Sequence, residues 1–208
     1  MNKLITILII SLIFGCKNIP ENKKTELIEK FELSKKIIES KEELDFKKYL
    51  DKEIQYPLKK LNLKPITDLN SKILRIWRFP GGGAAFEQML EFKNSDSELT
   101  FHSYLLEEFK NEVELSELNF SKKINEQGII KELKSIISDS NFIETEDSEK
   151  YCEPFWGCAD LYYVEFTNGE SVGKFIINHN IEKCNNKKAE NSKEIYKIMN
   201  IIIKKYSR

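Results

Sequence analysis

The fold class is decided by the stretch Leu161-Tyr162-Tyr163-Val164-Glu165-Phe166-Thr167-Asn168-Gly169-Glu170-Ser171-Val172-Gly173-Lys174-Phe175-Ile176-Ile177-Asn178. Two runs rich in aromatic and β-branched residues flank an Asn-Gly pair, the strongest short-range signal for a β-hairpin. Taking Asn168-Gly169 as a two-residue loop sets Thr167 opposite Glu170 and fixes the register behind it. Tyr162, Val164 and Phe166 then share one face with Phe175, while Tyr163 and Glu165 share the other with Lys174. The first face should meet helices. The Glu165/Lys174 pair reads as a surface ion pair worth at most about 1 kcal/mol.

Upstream, Lys72 to Phe79 places Ile73, Arg75, Trp77 and Phe79 on one side and Leu74, Ile76 and Arg78 on the other. Pro80-Gly81-Gly82-Gly83 interrupts this run. Ala84 to Phe92 sets Phe86, Gln88, Leu90 and Phe92 on one strand face, although its Ala, Glu, Gln and Met content also suits a helix. After the turn Asn94–Ser97, Glu98 to Phe109 returns as a strand bearing Phe101, Tyr104, Leu105 and Leu106. Three antiparallel strands are the economical reading.

Helical spacing appears at Leu27, Phe31, Ser34 and Ile38, and again at Ile129, Ile130, Leu133, Ile136 and Ile137. Ser40-Lys41-Glu42-Glu43 has the form of a capping box and starts a second helix with Leu44, Phe46, Lys48, Tyr49 and Leu50. Pro57 and Pro65 bracket an irregular connection. Asn191-Ser192-Lys193-Glu194 caps a C-terminal helix presenting Ile195, Ile198, Met199, Ile202 and Tyr206. Hairpins separated by helices predict an α+β fold, an antiparallel sheet of about five strands with helices packed on one face. It occupies a single domain over residues 25–208.

The N-terminus carries a different message. Lys3, the apolar run Leu4 to Phe14, Gly15 and Cys16 compose a secretory signal over residues 1–15. The run is too short for a membrane-spanning helix, which takes about 20 residues. Leu12-Ile13-Phe14-Gly15-Cys16 resembles a bacterial lipobox, in which the signal is cut before the cysteine. The resemblance implies a diacylglyceryl thioether on Cys16 and an amide-linked acyl chain such as palmitate. Residues 16–24 are a polar tether, and membrane lipid becomes a partner through acylated Cys16. Lys17 rather than aspartate after the cysteine points to the outer membrane, facing the periplasm, in a Gram-negative host. In a Gram-positive host the same signal anchors the chain to the plasma membrane. The segment from Arg75 to the C-terminus resembles uncharacterised bacterial α+β proteins with a Trp/Phe-rich first strand, then a helix, then a late hairpin entered through an aspartate, here Asp160. It covers about two thirds of the chain and implies a fold without an activity.

Removing the signal leaves about 190 residues, enough for one domain with a real core. Lys+Arg number 33 against 34 Asp+Glu, for a net charge of −1. Such even mixing excludes the concentrated basic face of a nucleic-acid binder.

Chemistry-bearing motifs are sparse. Gly81-Gly82-Gly83 lacks the Gly-Lys-Ser/Thr of a phosphate loop and the spacing of a dinucleotide loop, so it reads as a hairpin loop or bulge. His102 and His179 are the only histidines, which leaves no local His/Cys cluster of the zinc type. No cofactor is implied and no catalytic residue stands out, although Asp160 and Glu165 could serve as acids or bases. With Cys16 acylated, Cys152, Cys158 and Cys184 remain for an oxidising compartment. Extending the hairpin register puts Cys152 opposite Asn185, one step from Cys184, and favours a Cys152–Cys184 bridge. Cys158–Cys184 requires 153–157 to loop out, and Cys152–Cys158 closes a small loop; both stay open. The reading is a non-enzymatic module that binds a protein or another envelope component. The alternatives are a small hydrolase built from scattered carboxylates with His102 or His179, and a structural envelope lipoprotein.

Overall fold

A computed structural model describes residues 46–81, 86–109, 112–153 and 160–207. The signal segment, Cys16, the tether, the helical pattern at 27–38, Gly82-Gly83 and Cys158 lie outside the described residues. Two compact units are distinguished, Met1–Asp51 and Lys52–Arg208. Of the first, residues 46–51 are helical.

The second unit is built on one antiparallel sheet of six strands: β1 (Ile73–Phe79), β2 (Glu87–Lys93), β3 (Glu98–Phe109), β4 (Glu112–Ile124), β5 (Leu161–Thr167) and β6 (Val172–Asn178). Their order is β4-β3-β2-β1-β5-β6, so the late hairpin joins the sheet beside β1. Helices α2 (Gln127–Ser138) and α3 (Glu190–Tyr206) pack on one face, as the hairpin's apolar side requires. Ile130, Leu133 and Ile137 of α2 and Ile195, Ile198 and Ile202 of α3 form stripes at helical spacing. They close over Leu74, Ile76, Leu90, Phe101, Val164 and Phe175 of the sheet.

On the opposite side, the 3-10 turn Ile66–Asp68 meets β5, and α1 (Gln55–Lys60) meets β4. Pro57 does not mark an irregular connection, because it occupies the first turn of α1. There its missing N–H costs no intrahelical bond. The helix stops at Asn62, whose φ of 55° lets the Leu63 N–H reach back to the Leu58 carbonyl at 2.8 Å.

Three other expectations change. β4 carries no clean alternation, because two register shifts against β3 leave Asn119 and Ser116 without a partner position. Each bulge reverses the phase of the side-chain pattern. The hairpin register is offset by two: Thr167 faces Val172, and residues 168–171 form a four-residue loop. A two-residue type I′ turn needs positive φ at both central positions, and only Gly169 has it, at 94°. The Asn168 Oδ1 instead accepts the N–H groups of Glu170 and Ser171 at 2.9 and 2.8 Å, which widens the turn. Finally, α3 begins at Glu190, upstream of the expected cap. Asn186 caps the preceding 3-10 turn, and Ser192 is buried with its Oγ 3.2 Å from the Tyr151 hydroxyl.

The outer edge of β6 is closed by side chains. Asp147 Oδ1 accepts the Ile176 N–H at 2.7 Å, and Ser148 Oγ accepts the Asn178 N–H at 3.0 Å. This satisfies backbone donors that would otherwise template strand addition. Gly173 is needed there, since a Cβ would stand 3.2 Å from the Ile143 carbonyl oxygen.

Candidate functional site

The face of the sheet opposite α2 and α3 holds the densest polar constellation. Thr100, Glu91, Arg75, Glu165 and Lys174 stand side by side on β3, β2, β1, β5 and β6, so that charges of opposite sign alternate across the strands. A charge removed from water must be paired and hydrogen-bonded, and each of these is. Arg75, 1 % exposed, gives its Nε to Glu91 at 2.7 Å and its Nη1 to the Lys64 carbonyl at 2.8 Å. Glu165 accepts the Trp77 Nε1–H at 2.9 Å. The outer oxygens of the two glutamates meet lysines that reach solvent: Lys93 at 3.2 Å from Glu91 and Lys174 at 3.6 Å from Glu165. The expected Glu165/Lys174 pair therefore forms, but its carboxylate is buried rather than at the surface.

His102 lies in the adjoining row, opposite Ser121 of β4. Its ring is buried, and Nδ1 is 2.7 Å from the exposed Ser121 Oγ. Burial is the main force holding the imidazole below its ordinary pKa. Glu91 opposes this, and Lys93 and Arg75 reinforce it. A neutral imidazole on a hydroxyl has the nucleophile–base contact of covalent catalysis, but that arrangement also needs a third group to orient the base. Glu91, the nearby carboxylate, is committed to Arg75 and Lys93. The sequence gave no sign of this contact, because it depends on the β3/β4 pairing. The side chain of His179 is outside the described set.

At the far end of the same face, Glu87 stands opposite Tyr104. Burial pushes the Glu87 carboxyl up to about 7. The Tyr104 hydroxyl eases its ionisation slightly, and Glu53 opposes it. Neither Glu87 Oε2 nor the Tyr104 hydroxyl is in hydrogen-bond geometry with a partner.

On the helix-bearing face, Asp160 takes Arg78 Nε at 2.8 Å and the Gly81 N–H at 3.0 Å, and Arg78 also bonds Gln88. The aspartate that enters the late hairpin thus holds the start of the glycine stretch by its backbone. Tyr162, whose burial raises its phenol pKa, donates to Asn200 Oδ1 at 2.9 Å.

Cys152 and Cys184 form a disulfide, with Cα atoms 5.4 Å apart and a sequence separation of 32. The pair is the favoured one, but the strand register used to argue it does not reach that far. β5 and β6 end at Leu161 and Asn178, and the bridge joins two segments that follow the 3-10 turns Ser148–Lys150 and His179–Lys183. Among the described residues, no group of three or more His, Cys, Asp or Glu side chains could hold a metal ion, and no helix is long and apolar enough to cross a membrane. A cavity of about 250 Å³ opens between the end of α2 and the β5–β6 loop, lined by Lys72, Ile137, Asp139, Phe166 and Asn168. It is small beside pockets that enclose organic ligands, which run to about 300–1,000 Å³. No protein-family model matches the chain, and no curated protein is significantly similar to it.

Proposed function

We propose that the protein is an exported lipoprotein of the bacterial envelope, held to the membrane by acylated Cys16. Its folded part binds a protein or another envelope component rather than turning over a substrate. The observation that carries the anchor is the apolar run Leu4–Phe14 ending at Gly15-Cys16. The Cys152–Cys184 bridge fits an oxidising compartment, where structural disulfides persist. The binding role is favoured by the state of the ionisable groups. Arg75, Glu91 and Glu165 are buried against one another, which makes them parts of a rigid frame.

In a Gram-negative host, Lys17 favours the outer membrane with the domain facing the periplasm. Metabolic labelling with a fatty-acid analogue tests the anchor: the wild type should be tagged and Cys16→Ser should not, and equal labelling of both would reject it. Capture from detergent-solubilised envelope with the tagged wild-type protein should then return a stoichiometric partner. A preparation that stays alone would reject the binding role.

A further inference from the structure

Two of the large apolar side chains exposed to solvent, Phe46 at 43 % and Tyr49 at 54 %, sit one helical turn apart, with rings stacked 6.3 Å between centroids and 14° between planes. The other two, Val172 and Ile201, are isolated on β6 and α3. Exposed apolar residues that occur singly need no explanation, whereas a stacked pair on one helical turn does.

We propose that the Phe46–Tyr49 turn is a membrane-contact element, seated at the interface of the bilayer that carries the protein's own lipid anchor. The inference rests on the lipid-anchor reading and adds a second point of attachment to it. Aromatic side chains favour the headgroup region, where an apolar ring and a polar edge are both accommodated. Lys47 and Lys48 lie between the two rings in sequence, and a lysine near an acidic lipid surface contributes about 1 kcal/mol. About 30 residues separate Cys16 from Phe46, which reach at most about 100 Å when fully extended. An anchored chain therefore keeps this turn within range of its own bilayer at high effective concentration. Weak interfacial affinity is then enough to hold it down.

The test uses the mature lipidated protein in vesicles of phosphatidylcholine and phosphatidylglycerol, with and without brominated acyl chains. Trp77 is fully buried, so in Phe46→Trp the emission added over wild type reports position 46. That added emission should be blue-shifted and quenched about twofold or more by the brominated lipid, less so without phosphatidylglycerol. Water-like, unquenched added emission from protein that floats with the vesicles would overturn the contact and leave the anchor standing. Protein that neither floats nor incorporates fatty acid would overturn the anchor reading, and this inference with it.

Discussion

Replacing Glu87 by glutamine should make the domain more stable above neutral pH and leave it unchanged in acid. Glu87 is packed against Tyr104 with Glu53 nearby, and its carboxyl ionises near pH 7 when folded instead of near 4.5. As pH rises from 4.5 to 7, the unfolded chain has released this proton while the folded chain still holds it. Folding is then opposed by a growing deprotonation penalty, so the contribution is stabilising only in acid and is lost once pH exceeds about 7. A shift of about 2.5 units at 1.36 kcal/mol each sets an upper bound of roughly 3 kcal/mol, and the partial exposure of Glu87 reduces it to about 2–3. Glutamine keeps the shape of the protonated acid and cannot ionise. Urea unfolding at pH 4.5 should therefore give matching stabilities for wild type and Glu87→Gln, and at pH 8 the variant should be ahead by about 2–3 kcal/mol. A constant difference across that range would show that Glu87 titrates normally and that its burial has been misjudged.

Reduction of the Cys152–Cys184 bridge, or Cys184→Ser, should cost about 2–4 kcal/mol, and non-reducing peptide mapping should recover the Cys152–Cys184 peptide; a Cys158–Cys184 peptide would contradict the structure. Arg75→Met leaves the Glu91 carboxylate buried without its guanidinium and should cost about 3–5 kcal/mol in denaturant unfolding. Adding Glu91→Leu should restore most of the loss, and purely additive losses would mean that the two side chains do not act as a pair.

Sequence by itself determined the elements whose patterns are local. The Asn168-Gly169 hairpin, the strand Glu98–Phe109, the stripe Ile129–Ile137 and the apolar face of the C-terminal helix all follow from short-range periodicity, and they suffice for the α+β class. The signal segment and Cys16 are likewise a reading of local composition. Tertiary structure decided what depends on distant partners. β4 could not be read because its two bulges break the alternation that marks a strand, and without β4 the meeting of His102 and Ser121 was invisible. The hairpin register turned on whether Asn168 takes positive φ or uses its side chain to hold two backbone N–H groups, a choice of a few kcal/mol settled in the folded hairpin. Arg75 looked like one more alternating residue of an amphipathic strand. Only the sheet order, with β2 on one side and β5 on the other, sets a glutamate at each flank and makes its burial possible, because a charge can leave water only where opposite charges are already in place.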